Sequence, residues 1–209
     1  MGIKKKKSRN FGHEKGIEVV QKIIETSIEE NIKYLTLYAF STENWKRPIK
    51  EINFLMNLLS SYFDNNIQKL VEKKIKIKVI GNINKFPKFV KKKLILVQKK
   101  TKQNKLIQVN LALNYGFKDE IIRSFKIINK KSLKVNKINI KKNLYTKNIT
   151  DPEILIRTGG TNRLSNFLLW QIAYSEIFFV KKLWPDFNKK DFKFIINQYK
   201  KINRKFGAI

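Results

Sequence analysis

The amino-acid sequence predicts an α/β fold: an open, mostly parallel sheet with flanking helices. Short β-branched and aromatic segments at 34–40, 106–113 and 154–156 alternate with longer segments at 14–31 and 51–73, whose apolar residues recur at helical spacing. Parallel strands need crossover connections, usually helices, so this alternation favours a mostly parallel sheet. In such sheets ligands bind beyond the carboxyl ends of the strands, and two polar clusters follow predicted strands here.

In the first half of the chain, each element is predicted from its own pattern. The first helix has Ile and Val at helical spacing between Glu and Lys, and the second is longer and amphipathic. The first strand is aromatic and β-branched, as expected of a buried strand, and the second alternates Ile with Lys before a glycine. The predicted elements are helix 14–31, strand 34–40, helix 51–73, strand 75–80 and a helix over 86–102 that begins near Pro87.

The second half continues the alternation. A Lys- and Asn-rich stretch at 130–150 has no clear periodicity and is interpreted as a loop or a weak helix. The predicted elements are buried strand 106–113, helix 118–129, strand 154–156, strand 176–180 and helix 189–201. The chain has 209 residues, 42% of them hydrophobic, with no internal repeat or linker. We therefore predict a single domain over residues 1–209.

Composition limits the classes of function. The absence of cysteine excludes a disulfide framework and a thiolate metal site. No apolar run reaches the roughly 18 residues that span a bilayer, and the basic start leads into Phe11-Gly12-His13 rather than an apolar signal core. We expect a cytoplasmic protein, at most peripheral at a membrane. The net charge of +30 is spread through every segment, so we interpret it as compositional drift rather than a nucleic-acid site, although it favours diphosphates and acidic lipid surfaces.

The first polar cluster runs from Ser41 to Pro48 and leaves the end of the strand 34–40. It places a hydroxyl, a carboxylate, an amide, an indole and a guanidinium side by side. Such a set can hydrogen-bond an anion, position a proton acceptor and cover an apolar ligand. A capped strand-to-helix loop with a proline stop explains the same residues, and the residues alone leave both interpretations open.

The second polar cluster runs from Arg157 to Asn166, with a Gly-Gly pair between Arg157 and Arg163. A guanidinium presents several donors to phosphate oxygens, and glycines let backbone N–H groups approach an anion. Ser165 precedes an apolar run that we expect to be helical, which would add the donors of a helix N-terminus. We favour anion binding over a tight turn with two solvated arginines.

Three further side chains are candidates on weaker grounds. His13, the only histidine, lies with Arg9 at the entry to the first predicted helix, where a phosphate contact is permitted but a structural role is the commoner outcome. Glu176 stands at a strand start, near the arginine cluster in sequence, and is a candidate ligand of Mg²⁺. No Ser/His/Asp arrangement and no metal-ligand spacing accompanies them.

These clusters together resemble the undecaprenyl diphosphate synthase family of cis-prenyltransferases. The resemblance covers essentially the whole chain. Its motifs are 36–45 with Arg47-Pro48, then 156–160 with Arg163 and 165–171, Ala173-Tyr174, Glu176 and 184–187, together with 11–13, Asn110, 114–116 and 204–207. Both long motifs are specific to that family.

The resemblance implies an enzyme that condenses isopentenyl diphosphate in cis onto an allylic diphosphate, typically farnesyl diphosphate, to make a long-chain polyprenyl diphosphate. It implies Mg²⁺ as cofactor, an apolar tunnel for the growing chain and a homodimer. Arg157, Arg163 and Ser165 would grip isopentenyl diphosphate, and Arg9 with His13 would contact the allylic diphosphate. Asn44, supported by Ser41 and Arg47, would sit where the condensation proton is removed, Trp45 would line the substrate site, and Glu176 would assist the metal. Thr42, Glu43 and Leu164 complete the substrate-binding residues that the motifs assign.

The sequence departs from the family pattern at two places, and each departure affects what we expect of the site. The family's Asp-Gly-Asn-Gly-Arg-type loop, whose Asp holds Mg²⁺, has no counterpart, and no Asp precedes Glu14. We expect that the domain is incomplete at its N-terminus because the start is placed too late; the alternative is an inactive fragment or a non-catalytic subunit. Thr161 stands where the family usually has Glu, which removes an acid beside the proposed diphosphate site. A basic nucleic-acid binder is the most distant alternative.

Overall fold

The computed structural model describes residues 9–204 of the chain. Six α-helices and five strands of this region alternate as the sequence predicts, with short 3₁₀ turns at 42–46, 83–85 and 184–186. In chain order the elements are α1 Arg9–Glu29, β1 Tyr34–Ser41, α2 Ile49–Glu72, β2 Ile75–Ile80, α3 Lys88–Lys100, β3 Ile107–Tyr115, α4 Phe117–Lys130, α5 Lys137–Asn143, β4 Ile154–Arg157, β5 Glu176–Phe179 and α6 Lys189–Tyr199.

All the strand pairs are parallel, which confirms the predicted fold class. Strand β3 lies between β1 and β2 in a three-stranded sheet, and β4 pairs with β5 in a second sheet. The helices between β1, β2 and β3 provide the crossovers that parallel neighbours require. The ambiguous stretch at 130–150 contains one short helix, α5, which Asn136 caps by accepting a hydrogen bond from the backbone N–H of Asn139.

The core of the described region divides into clusters on the two faces of the sheets. Alternate residues of β2 and β3 pack against α2 and α3 on one face. The cluster between α1 and α6 is called the α1/α6 cluster below and contains Val19, Ile23, Phe187, Phe192, Ile195 and Ile196. The cluster around the segment 167–172 is called the turn cluster and contains Ile80, Ala112, Tyr115, Phe167, Leu168 and Ile172.

Two predictions about local structure were wrong. Strand β1 was expected to be buried, but Phe40 is its one buried residue and Tyr34 is 39% exposed, whereas β3 is buried almost throughout. The reason is that, among the described residues, β1 pairs with β3 alone and that its other side borders a cavity. The apolar run after Ser165 is a series of turns rather than a helix, because Ser165, Asn166 and Leu168 have positive φ angles of 50°, 62° and 47°.

Candidate active site

One cavity of about 1430 Å³ connects both polar clusters. Its walls include residues of β1 and β4, apolar residues of α1 such as Ile17 and Val20, and apolar residues of α2 such as Leu55 and Leu59. The predicted site residues among its lining are Arg9, His13, Asn44, Arg47, Arg157 and Leu164. The cavity therefore combines many apolar lining residues with cationic side chains at the carboxyl ends of two strands.

On one side of the cavity, three of these side chains converge on Glu51. Its Oε1 accepts hydrogen bonds from Arg47 NH1 at 2.9 Å and lies 3.3 Å from His13 Nε2, while its Oε2 accepts from Arg9 NH1 at 3.0 Å. The Glu51 side chain is 9% exposed. The sequence analysis missed Glu51, although its position four residues after Arg47 at the start of α2 is the spacing of a helical ion pair.

Burial and the neighbouring groups have opposing effects on the pKa of His13 and on the pKa of Glu51. Burial lowers the pKa of His13 below its usual 6.5, and the hydrogen bond and negative charge of Glu51 oppose that effect only in part. Burial disfavours the charged form of Glu51, but the hydrogen bonds from Arg9 and His13 and the charge of Arg47 hold its pKa below the usual range. At neutral pH the site therefore has an ionised carboxylate between two guanidinium groups and a neutral imidazole.

The loop after β1 is fixed by hydrogen bonds of its own residues. The backbone N–H of Ser41 donates to Asn44 Oδ1 at 3.1 Å, which holds the Asn44 side chain at the strand end. Glu43 Oε1 accepts from Asn166 Nδ2 at 3.0 Å, so this contact ties the first polar cluster to the second. Burial opposes ionisation of Glu43, but hydrogen bonds led by that from Asn166 keep its pKa below the usual range.

Thr42 and Trp45 take positions that the motif alone does not reveal. A Cβ placed on Gly116 would lie 2.6 Å from Thr42 Oγ1, so the loop sits directly against the end of β3. Trp45 Nε1 donates to Asn114 Oδ1 at 2.8 Å, and its ring packs against Phe40 and Phe86. The Trp45 ring thus supports the loop from the core, and it is not among the lining residues of the cavity.

On the other side of the cavity, the loop after β4 orients Arg157. Its Nε and NH2 donate to Thr161 Oγ1 at 3.2 and 3.0 Å. The residue that departs from the family pattern, Thr161, is therefore the one that holds this guanidinium. Three non-glycine residues that follow, Ser165, Asn166 and Leu168, have positive φ angles, which are strained for L-residues, whereas Gly159 and Gly160 adopt theirs without strain. Strain of this kind clusters at functional sites because surrounding contacts must maintain it.

The remaining residues of the second cluster differ in exposure. Arg163 and Ser165 are exposed, and Leu164 lines the cavity. The Ser165 carbonyl accepts from Tyr38 Oη at 3.3 Å, which links the loop to β1. Since the following segment consists of turns, no helix N-terminus lies behind Ser165, and the hydrogen-bond donors that this loop offers are side chains and individual backbone N–H groups.

Glu176 lies apart from the other predicted site residues. In the register of β4 and β5 it pairs with Ile154, whereas Arg157 pairs with Phe179, so Glu176 is at the amino ends of these strands. Its Oε1 is 3.7 Å from Arg204 Nε. Within one chain the structure does not bring Glu176 to the arginine cluster, and its role as a metal ligand stays a prediction.

The carboxylate and imidazole side chains decide whether the described residues could hold a divalent cation. Across residues 9–204 no three carboxylate or imidazole side chains form a group that could hold a metal ion. At the carboxyl ends of the strands, Glu51 is engaged by two arginines and Glu43 by Asn166. The described residues therefore do not fit a dedicated Mg²⁺ site by themselves. Within the same residues no helix is long and apolar enough to cross a bilayer.

Comparison with known proteins identifies the family. A prenyltransferase family model for undecaprenyl diphosphate synthases matches residues 2–207. The isoprenyl transferase of Clostridium tetani is 43% identical over 212 residues, which cover 98% of this chain and 83% of that protein. The (2E,6E)-farnesyl-diphosphate-specific ditrans,polycis-undecaprenyl-diphosphate synthase of Micrococcus luteus is 41% identical over 212 residues, with 98% and 85% covered.

Solved structures give the same result. The crystal structure of a probable undecaprenyl diphosphate synthase from Campylobacter jejuni has a TM-score of 0.85 and 41% identity, and 93% of each chain is covered. The lavandulyl diphosphate synthase of Lavandula x intermedia, crystallised with dimethylallyl diphosphate, has a TM-score of 0.94 and 27% identity, with 99% of this chain and 92% of that chain covered. The chain thus belongs to the undecaprenyl diphosphate synthase family of prenyl transferases.

Proposed function

We propose that this protein condenses isopentenyl diphosphate in cis onto an allylic diphosphate, with farnesyl diphosphate as the first acceptor, and makes a long-chain polyprenyl diphosphate. The observation that carries the proposal is the composition of the cavity that joins both polar clusters. Cationic groups for two diphosphates stand at the carboxyl ends of β1 and β4, and an apolar interior large enough for a prenyl chain continues between them. The farnesyl-diphosphate-specific relative from Micrococcus luteus supports the choice of acceptor.

The two diphosphates are assigned to opposite sides of the cavity. Arg157, with Arg163 and Ser165, binds isopentenyl diphosphate, because Thr161 aligns the Arg157 guanidinium and a planar fork suits phosphate oxygens. Arg9 and His13 bind the allylic diphosphate on the side of Glu51. At neutral pH the His13 imidazole adds no full charge to those of Arg9 and Arg47, and its one N–H donates either to Glu51 or to the diphosphate.

The loop after β1 lies next to the reacting atoms. Asn44, fixed by the Ser41 backbone and close to Arg47, lies where the proton leaves the isopentenyl unit during condensation. The leaving diphosphate develops negative charge in the transition state. Preoriented guanidinium groups stabilise that charge in a site from which water is excluded. The apolar residues of α2 that line the cavity exclude water and hold the growing chain.

Mg²⁺ dependence and a homodimer are part of the proposal. Mg²⁺ is usually held through substrate phosphates and one or two carboxylates, so it would be bound jointly with the diphosphates. Exposed apolar side chains on β5, with Ile177 40% and Phe179 45% exposed, support a subunit contact on that face. A long polyprenyl product would also draw the enzyme toward a membrane surface.

The test is incorporation of labelled isopentenyl diphosphate onto farnesyl diphosphate, with Mg²⁺ and with EDTA. The chain 1–209 is assayed beside a form extended upstream to include an Asp-Gly-Asn-type segment. Arg157→Ala should lower kcat/KM about 100-fold or more, as expected when a charge-stabilising group is removed from a buried site. Lys92→Ala, an exposed lysine on α3, is the matched control and should match the parent chain.

The outcomes separate the alternatives. Product from either form, lost with EDTA and with Arg157→Ala, supports the proposal. Activity that is equal in Arg157→Ala and Lys92→Ala contradicts the assigned isopentenyl diphosphate site. If both forms are inert alone but a partner chain restores product formation, the protein is a non-catalytic subunit and the proposed catalytic role is wrong.

A further inference from the structure

The positive charge of the chain is concentrated where acidic residues are absent. Between Glu72 and Asp119 the segment 73–118 contains fourteen lysines and no Asp, Glu, Arg or His. Its net charge is therefore +14, out of +30 for the whole chain. An excess of lysine occurs throughout the sequence, but here no carboxylate of the same segment offsets it. Helix α3 lies near the centre of this segment.

Helix α3 packs on the protein through one narrow face. Val90, Leu94 and Val97 are each 0% exposed and follow one another at steps of four and three residues. They pack with residues of α2, β2 and β3, and they belong to neither the α1/α6 cluster nor the turn cluster. No residue of α3 lines the cavity. The opposite face of α3 is therefore turned away from the core and from the candidate active site.

The opposite face alternates apolar and cationic side chains. Phe89, Lys92, Leu96 and Lys99 follow at steps of three, four and three residues, so they form one stripe along the helix. All four are exposed, Phe89 to 48% and Leu96 to 40%. Three exposed residues flank the stripe: Lys88, Ile95 and Lys100. These seven residues are called the α3 face below.

The four lysines of the α3 face have no counter-charge in the described part of the chain. Within residues 9–204 none of them forms an ion pair with a carboxylate. Lysines in other places differ. Lys93, nearer the packed side of α3, pairs with Asp64 of α2, and Lys189 and Lys193 of α6 pair with Glu29 at the edge of the α1/α6 cluster. The α3 face is thus both apolar and uncompensated in charge.

We propose that the α3 face docks on the surface of a bilayer that contains anionic lipid. A helix that lies in the plane of a membrane places apolar side chains below the headgroups, and lysines beside them contact anionic headgroups. Phe89, Ile95 and Leu96 provide the apolar part, and the four unpaired lysines provide the charge. The long carbon chain of lysine lets its ammonium group reach the headgroups from the flank of the helix.

The exposed side of α4 fits a membrane less well. Ile122 and Phe125 are 55% and 42% exposed there, but Asp119 is also exposed in the first turn of that helix. A nucleic acid fits the α3 face less well too, because it would contact the lysines but would not need exposed Ile95 and Leu96. This inference does not depend on the proposed reaction, since membrane binding is measured without substrate. The transfer assay contains no lipid, so the lysines of the α3 face do not enter it.

The test is cosedimentation of chain 1–209 with vesicles of phosphatidylcholine, alone or mixed with phosphatidylglycerol. We expect binding to the mixed vesicles that weakens as salt is added, and little binding to phosphatidylcholine alone. The combined change Phe89→Gln, Ile95→Gln and Leu96→Gln should lower the partition coefficient about tenfold or more. Changing the four lysines of the α3 face to glutamine should have an effect of the same size. Leu96→Gln alone should weaken binding about threefold, and it replaces the triple variant if that variant unfolds.

The controls match these changes in number and type but lie on α4, its C-terminal end and α5. One combines Ile122→Gln, Phe125→Gln and Ile138→Gln, which are exposed apolar positions. The other changes four exposed lysines to glutamine and lowers the net charge equally; they are Lys118, Lys126, Lys130 and Lys131. Both should bind the mixed vesicles within about twofold of the parent chain.

Three results would overturn the proposal. An equal loss of binding in both lysine variants would show that total charge, and not the α3 face, attracts the membrane. Unchanged binding after the apolar changes on α3 would show that these side chains do not enter the bilayer. Failure of the parent chain to bind mixed vesicles, together with salt-sensitive binding of a single-stranded RNA, would assign the lysines to nucleic acid instead.

Discussion

Replacement of Glu51 by glutamine is the most informative perturbation of the site. Glu51→Gln retains the shape of the side chain and one acceptor oxygen but removes the charge that Arg9, His13 and Arg47 share. A hydrogen bond to a charged group contributes about 1.5–3 kcal/mol. The Arg47 contact to a carboxylate that is 9% exposed falls in that range, whereas Arg9 is 57% exposed and contributes less.

We therefore expect a loss of about 2 kcal/mol in the free energy of unfolding, as the Arg47 bond is weakened and the Arg9 pair is lost. For a chain of this size that loss lowers Tm by about 4–8 °C. Glu18→Gln is the control, because Glu18 pairs only with the exposed Lys15 on the surface of α1. Its effect should be close to zero, in line with exposed ion pairs in general.

The same substitution has a signature that a stability loss alone cannot produce. His13 is the only histidine, so its ring protons report one titration. Burial lowers the pKa of His13, and Glu51 raises it through a hydrogen bond and its charge, so Glu51→Gln should move the NMR titration midpoint further below that of the parent chain. An unchanged or higher midpoint, or a Tm loss equal to that of Glu18→Gln, would refute the description of Glu51 as the shared counter-charge.

The sign of the pH dependence follows from the same shift. Because the pKa of His13 in the folded chain lies below its usual 6.5, the unfolded chain binds the proton more readily. Protonation of His13 therefore destabilises the folded state as pH falls below about 6.5, whereas above that pH His13 does not lower the free energy of unfolding. The lowered pKa of Glu51 acts in the same direction at more acidic pH. Unfolding by denaturant at several pH values, compared with His13→Gln, measures the difference.

Two further substitutions test the loops. Gly116→Ala would place a Cβ 2.6 Å from Thr42 Oγ1 and 2.7 Å from Asn166 Nδ2, so it should force the two polar clusters apart. We expect a lower Tm and a lower kcat/KM. An unchanged kcat/KM would show that contact between the two loops is not needed for activity. Thr161→Val removes the acceptor for Arg157 and should weaken binding of inorganic pyrophosphate several-fold by calorimetry, whereas Thr161→Ser should retain it. Equal affinity in both variants would contradict an orienting role for the hydroxyl.

Local periodicity was sufficient to predict most elements. The helices and strands near 75–80, 118–129 and 189–201 lie within a few residues of their predicted bounds, because each has a one-sided apolar pattern. The run after Ser165 misled the prediction, since apolar residues crowd there as in a buried helix. Its geometry is set by contacts distant in sequence: the Phe117 N–H donates to the Asn166 carbonyl, and Tyr38 Oη donates to that of Ser165.

The site was predictable in content but not in arrangement. The motifs gave six of the side chains that line the cavity, yet they gave no sign that Trp45 packs against the core or that Glu176 lies at the amino ends of the strands. Glu51 could have been found from its spacing to Arg47. Its contacts with Arg9 and His13 join residues about 40 positions apart, and a single sequence contains no signal for such contacts.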